Sequence, residues 1–433
     1  MTRTTYTVLL GILAPFIWAW MAFNAIKTRT DWHILSPRRF GWGERDVRIV
    51  AGAVWVHAVS VGETRAAEPL IRALLARGDR VLLTHTTPTG RETGRQMFAT
   101  AIADARLSQT WLPYDFPWAW TRFLQLHRPK QCLLIEREVW PNLIAQCVNL
   151  GVPVSLVSAR LSERGLARAR RLGPVLKAAY AALQPVCAQS DEDAQRLRLA
   201  GVAQPEVCGN LKFDVQMDAR QHAAGRAWRQ ALGRPVVMLA STREGEETDF
   251  AQAIANSGQT GSLVLWVPRH THRFEPAARA VAQAGLPFVM RTTLGAEQPA
   301  STARVLIGNT LGEMAFYFGA SDVVIIGGSF AELGGQNFIE PLGMGLPVIF
   351  GPHMFNFQDA ARDALAAGVA IEVATVSEAF TRAWAIIEDA EGREVSQHAA
   401  REWMARHMGA STRILDALDR SALTVSRFQT DRA

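Results

Sequence analysis

A carboxylate closes the stretch His57-Ala58-Val59-Ser60-Val61-Gly62-Glu63. An apolar run, Val54–Ala58, leads into it and an amphipathic pattern, Arg65–Ala76, follows. That order predicts a buried strand, a small-residue turn, and a helix whose first turn carries Glu63. A plain structural role is available, because Ser60 or Gly62 can cap the helix and an acid suits its dipole. The small residues around Glu63 also leave it room to meet a ligand and take a proton from it. A second constellation runs Gly327-Gly328-Ser329-Phe330, Glu332, Gly334-Gly335-Gln336-Asn337 and Glu340-Pro341. Four glycines in nine residues suit a backbone that approaches a ligand closely. Asn337 and Glu340 are three apart, which predicts one face of the following helix. A carboxylate in its second or third turn can accept both hydroxyls of a ribose.

Three further stretches fit an anionic ligand. Gly308-Asn309-Thr310-Leu311-Gly312-Glu313-Met314 combines glycines with a helix start. Arg269, in Val267-Pro268-Arg269-His270, offers a fork to phosphate or carboxylate. In Ala240–Glu247, Ser241 or Thr242 with Glu246 or Glu247 reads as a capping box, and as a place for backbone N–H groups to meet phosphate. Dinucleotide and P-loop glycine signatures, a GxSxG elbow, an HExxH pair and an Asp-x-Asp pair are absent from the sequence. The motifs call for no metal and no cofactor.

The elements that must hold these residues alternate. Apolar runs lie at Val54–Ala58, Val81–Thr84, Cys132–Ile135, Val154–Val157 and Val186–Ala188, then at Val236–Ala240, Leu263–Val267, Val305–Ile307, Val323–Ile326 and Val348–Phe350. Helical patterns separate them, which predicts parallel strands buried on both faces in doubly wound sheets. The pause around Asn210–Gly233 divides the series in two. The expected organisation is a membrane anchor at 1–27, a first α/β domain at 28–212 and a second at 213–433, with a cleft between the two. Ligands in such sheets bind at the carboxyl ends of the strands, where all the stretches above fall.

Thr4 to Ile26 carries no charge and is long enough to cross ~30 Å of hydrocarbon at ~1.5 Å per residue. Bulky Trp18, Trp20, Met21 and Phe23 fill the place of a signal-peptide cleavage site. Arg3 stands before the segment; Lys27, Arg29, Arg38 and Arg39 follow, which predicts a cytoplasmic location for the rest. The 433-residue chain has a formal net charge of +6, which favours anionic partners. The basic stretch Arg160–Arg171 reads equally as a solvated face or as a contact for anionic lipid phosphates. No aromatic platform accompanies it, so nucleic acid is not an expected partner. The four cysteines, Cys132, Cys147, Cys187 and Cys208, form no CxxC pair and read as buried, reduced thiols.

Taken in order, HAVSVGE, IEREVWPN (135–142), SARLSER (158–164), GNLKFD (209–214), VPRH, GNTLGEM and GGSFAELGGQNFIEP (327–341) resemble the bacterial 3-deoxy-D-manno-octulosonic acid (Kdo) transferases of lipid A assembly. The resemblance covers almost the whole chain. It implies a GT-B fold, two Rossmann-like domains behind a transmembrane helix in the bacterial inner membrane, a CMP-Kdo donor and a lipid A precursor (lipid IVA) as acceptor. It makes Glu63 the catalytic base. It makes Arg269, Gly312, Glu313, Met314, Asn337 and Glu340 donor-binding residues, and adds Lys212. Should Glu63 not be the base, Glu136 and Glu138 at another strand end come next. Arg137 and Asn309 depart from the family pattern, where Thr and Asp are usual. Two rival readings remain: a GT-B transferase using a UDP-sugar on another membrane acceptor, and a non-catalytic nucleotide-binding membrane protein.

Overall fold

The computed structural model describes residues 1–28, 32–43, 51–295 and 302–430. Arg29, one of the charges flanking the apolar segment, lies outside the described residues, as does the side chain of Lys27. The chain divides into two compact units, Met1–Val215 together with the residues from Met408 onward, and Gln216–His407.

The first unit holds seven strands: β1 (Val54–His57), β2 (Val81–His85), β3 (Leu107–Trp111), β4 (Gln131–Ile135), β5 (Val154–Ala159), β6 (Val186–Ala188) and β7 (Pro205–Val207). They lie in the order β3-β2-β1-β4-β5-β6-β7, and every pairing is parallel. Alternate residues enter opposite cores, as a period of two requires. Trp55 packs with Trp120 and Phe123 on one face, while Val54 and Val56 pack with Leu70 and Ile71 on the other. The four cysteines are buried and unpaired.

The first helix, α1 (Arg3–Thr28), is the one described helix long and apolar enough to cross a membrane. It is not a detached anchor. Tyr6 donates to Asp115 Oδ2 at 2.9 Å, and Thr7 Oγ1 meets the Asn142 side chain at 3.1 Å. Trp18 packs on Phe40 and Tyr114, with centroids 5.7 and 5.5 Å apart. The buried Asp115 carboxylate also accepts from Trp120 Nε1, Asn142 N–H and Leu143 N–H, so α1 docks on a polar network fixed inside the unit. The opposite face, including Ile12, Phe16 and Phe23, is exposed. Arg39 is buried rather than a surface charge beside the segment.

A second difference lies at the other end of the chain. The helix Ala410–Thr430 packs in the first unit, where Ile414, Ala417 and Leu418 join the core under β1 and β4. Asp214 caps it, accepting from Gly409 N–H at 2.7 Å and Ser411 N–H at 2.6 Å. The expected second domain, 213–433, therefore gives up its last helix because a residue in GNLKFD satisfies that helix's first amides.

The second unit repeats the plan with β8 (Val236–Thr242), β9 (Leu263–Pro268), β10 (Phe288–Met290), β11 (Val305–Ile307), β12 (Val323–Ile326), β13 (Val348–Phe350) and β14 (Ala370–Glu372). Their order is β10-β11-β9-β8-β12-β13-β14, again all parallel. The apolar runs foresee ten of the fourteen strands among the described residues. The four they miss, β3, β7, β10 and β14, are the edges of the two sheets.

Candidate active site

In the first unit the chain leaves β1 for β2 and β3 on one side, then returns to β4 on the other. The crevice outside such a switch point is where open α/β sheets bind ligands. Glu63 follows β1 and Glu136 follows β4, so the two acids flank it. Ser60 is the N-cap of the helix Val61–Ala66, and its hydroxyl accepts from Glu63 N–H. The Glu63 carboxylate turns back, and its Oε2 accepts from Val59 N–H at 2.5 Å. The capping role is thus present, but it uses one oxygen. Among the described residues Oε1 accepts no hydrogen bond.

Glu136 is buried at the end of β4 with φ 59°, a left-handed conformation that a non-glycine residue keeps only when its surroundings dictate it. Lys212 Nζ stands 2.7 Å from its Oε1. Lys212 is placed by Asn210, which accepts from Lys212 N–H at 3.0 Å and donates to Gln189 Oε1 at 3.1 Å. Glu138 accepts from Trp140 Nε1 at 2.8 Å, and His57 Nε2 lies 3.7 Å from it. Burial alone would raise the Glu136 carboxyl, but Lys212, with Arg160 and Arg137, outweighs that and holds it below the ordinary carboxylate value. Arg137, a departure from the family pattern, is therefore part of the positive field around Glu136. Glu63 goes the other way. Burial, then the charges of Glu136 and Glu138, push it up to about 8 against the pull of Val59 N–H and Lys212. Divergent titration within one acid cluster is what general acid–base chemistry needs.

In the second unit, β11, β9, β8 and β12 are successive neighbours, so Gly308–Met314, Arg269, Ser241–Glu247 and Gly327–Glu340 leave one carboxyl edge. Arg269 is half-buried, and its N–H donates to Thr242 O at 3.0 Å. Gly312, at φ 79°, turns the chain into the helix Met314–Gly319. Glu313 pairs with Arg291 at 3.3 Å and bonds Thr310, whose hydroxyl also meets Tyr317. Arg291 belongs to no motif and was invisible to sequence reasoning. Asn309 bonds the side chain and N–H of Thr292 at 2.8 and 3.0 Å, tying the end of β11 to the turn after β10.

Two expectations change here. Ser241 and Thr242 do not form a capping box. Glu246 is the N-cap of the helix Glu247–Asn256 and makes no side-chain cap bond there. Its buried carboxylate instead accepts from Arg243 and Gly328 N–H, each at 2.8 Å, and from Phe330 N–H at 3.4 Å. Protein, rather than phosphate, answers these two amides of the glycine stretch. Gly327 is needed for packing, since a Cβ would stand 2.4 Å from Thr242 Cα. The helix carrying Glu340 is only Ile339–Gly343, so Glu340 lies in its first turn and Asn337 precedes it. The pair still meets, with Asn337 Nδ2 donating to Glu340 Oε1 at 2.9 Å and Asn337 Oδ1 accepting from Ile339 N–H at 3.0 Å.

Solved structures share this architecture. UDP-GlcNAc 2-epimerase from Neisseria meningitidis bound to UDP-GlcNAc matches at TM-score 0.55 and 14% identity, over 85% of this chain and 100% of its own. Anabaena HepE in complex with UDP matches at TM-score 0.56 and 12% identity, over 87% and 100%. Two Rossmann-like units with these neighbours define a GT-B type fold. The family model described as 3-deoxy-D-manno-octulosonic-acid transferase (kdotransferase) matches residues 36–215. The 3-deoxy-D-manno-octulosonic acid transferase of Bordetella pertussis is 50% identical over 425 residues, 97% of this chain and 99% of that one. That of Haemophilus influenzae is 31% identical over 429 residues, 96% and 98%. The chain belongs to the 3-deoxy-D-manno-octulosonic acid transferases, a family of glycosyltransferases.

Proposed function

We propose that this chain moves Kdo from CMP-Kdo to a hydroxyl of a lipid A precursor, with inversion at the anomeric carbon. The observation that carries the reading is Glu63, a half-buried carboxyl held at about 8 beside two further acids, with one oxygen left for a substrate hydroxyl. The acceptor oxygen attacks the anomeric carbon as its proton passes to Glu63. The bond from that carbon to the CMP phosphate oxygen breaks, and its electron pair leaves with CMP. A β-linked donor gives an α-linked product. Lys212 holds Glu136 charged, and that negative field keeps Glu63 basic.

In the second unit Arg269 suits an anionic donor group. The Gly312–Met314 turn suits the nucleotide, and the Asn337–Glu340 pair suits ribose hydroxyls. Location at the cytoplasmic face of the bacterial inner membrane is supported by the exposed apolar face of α1, which meets the bilayer while the other face stays docked on the first unit from Tyr6 to Trp18. The experiment is transfer by the purified full-length protein, read by mass spectrometry of a tetraacylated lipid A precursor offered CMP-Kdo or a UDP-sugar. A mass increase of one or more Kdo residues is expected. An increase from the UDP-sugar alone would move the assignment to another donor.

A further inference from the structure

Glu63 shares its crevice with two further acids, Glu136 and Glu138, and each of those faces a basic side chain. Glu136 has Lys212 Nζ at 2.7 Å, and Glu138 has His57 Nε2 at 3.7 Å. Among the described residues no cation pairs with Glu63, whose carboxylate is met by the Val59 N–H. His57 ends β1 and is 0% exposed. Its Nδ1 lies 3.1 Å from Thr84 O and 3.0 Å from Thr84 Oγ1. A carbonyl oxygen can only accept, so Nδ1 carries a hydrogen and donates it. Thr84 is itself fixed, because its hydroxyl accepts from Trp55 Nε1 at 2.8 Å. The ring is therefore held from one side, with Nε2 turned toward Glu138 Oε2.

Among the described residues this Nε2 has no hydrogen-bond partner. A neutral ring would present a buried lone pair to a carboxylate oxygen. Buried polar atoms are rarely left so, and a proton on Nε2 turns the contact into an ion pair. The titratable groups that face His57 among the described residues are Glu138 beyond β4 and His85 on β2. His85 donates from Nδ1 to Ala58 O and accepts at Nε2 from the Gln109 amide, both at 3.0 Å. Burial, then the charges of His57 and Arg91, hold it down to about 3 against the pull of Ala58 O, so His85 stays neutral and does not compete for the proton. Trp140 Nε1 donates to the same Glu138 Oε2 at 2.8 Å, so two donors converge on one oxygen and fix the carboxylate.

We propose that His57 is a positioning residue of the transfer site: a proton on its Nε2 pairs it with Glu138, so that Glu136 and Glu138 each have a cation and Glu63 is left as the acid that takes the proton of the acceptor hydroxyl. His57 touches no substrate. It acts through Glu138, whose charge is one of those that push Glu63 up. Without the imidazolium that charge is uncompensated, while the Trp140 bond remains to hold it. The proposal rests on the reading of Glu63 as the base.

The test is the pH dependence of kcat/KM for the full-length protein in detergent, with CMP-Kdo and a lipid A precursor. His57→Gln keeps an N–H near the place of Nε2 without the charge, and His57→Asn keeps the bond to Thr84 and puts nothing at Nε2. A neighbouring charge moves a carboxyl by about one pH unit or more. In both variants the rise of kcat/KM is therefore expected about one unit above that of the parent, which is about a tenfold loss at pH 7 that closes at alkaline pH. In a Glu138→Gln background His57→Gln is expected to leave the midpoint unmoved, because the two residues act as one pair. A direct reading does not depend on whether the His57 variants fold. With isotope-labelled imidazole nitrogens, one histidine of the parent is expected to show an imidazolium Nε2 signal at pH 7 and to lose it in Glu138→Gln. A loss in the His57 variants that is the same at every pH would overturn the proposal. So would an unmoved midpoint in variants that melt like the parent, the same shift in the Glu138→Gln background, or histidine signals unchanged by Glu138→Gln. Turnover retained in Glu63→Gln would instead strike the base reading, while the imidazolium signal would still report the His57–Glu138 pair.

Discussion

Replacing Glu63 by Gln separates its two roles. The amide oxygen can still accept from Val59 N–H, the 2.5 Å bond that closes the turn, but the side chain can no longer take a proton. General-base catalysis contributes ~10²–10⁴-fold, so kcat is expected to fall by that range. The carboxyl at about 8 also sets the pH profile of the parent. At pH 7 about a tenth of it is ionised, and kcat/KM is expected to rise about tenfold per pH unit below 8 and to level above it. The same group acts on stability. Its folded value lies above the ordinary 4.5, so between those values the native state binds a proton that the unfolded chain does not. Stability from this group is complete below 4.5 and is lost as pH rises through 8. At ~1.36 kcal/mol per pH unit the ceiling is about 5 kcal/mol, and the solvent access of a half-buried side chain brings it to roughly 1–2 kcal/mol. The assay is Kdo transfer at saturating substrates alongside melting at pH 5 and pH 8. The Gln variant should lose most turnover yet gain stability relative to the parent at the higher pH. Turnover within a few-fold of the parent, together with an unchanged melting difference, would refute both the base assignment and the electrostatic reasoning.

Other expectations follow from the same geometry. Lys212→Met leaves Glu136 buried without its 2.7 Å partner. A loss of ~3–5 kcal/mol in chemical denaturation is expected, with the rise in kcat/KM displaced to lower pH, because the unpaired Glu136 takes a proton and its charge no longer pushes Glu63 up. Tyr6→Phe removes one donor from Asp115 while its other donors stay in place, which should cost ~0.5–1.5 kcal/mol in a melting curve; no change would mean that α1 is not anchored through this bond. Asp214→Ala strips the cap from the C-terminal helix and is expected to cost ~0.5–2 kcal/mol, with faster proteolysis after Met408. Glu340→Ala should weaken CMP binding by calorimetry and Glu340→Gln should weaken it less, since the amide keeps one acceptor oxygen; equal affinity in all three proteins would remove Glu340 from the donor site.

The interior strands were legible in the sequence because burial on both faces leaves a composition trace. The run Cys132–Ile135 marks β4 and Val323–Ile326 marks β12. Edge strands leave a weaker one. Leu107–Trp111 contains Ser, Gln and Thr, and none of Phe288–Met290 is fully buried, since an edge strand pairs on one side only and is partly open to solvent. Glu63 was legible as a strand-end acid, and so were the glycine-rich turns, because small residues and charges at such places are poor filler. What the tertiary structure decided is which of these groups meet. Glu136 reaches Lys212 across 76 positions of chain, Glu246 claims the amides of Gly328 and Phe330, and Asp214 caps a helix that begins nearly two hundred residues later. Sequence spacing carries information about neighbours within one helix or strand, where the backbone period fixes the geometry. Contacts between elements depend on strand order, and strand order is set by how the apolar faces of the whole unit are buried together.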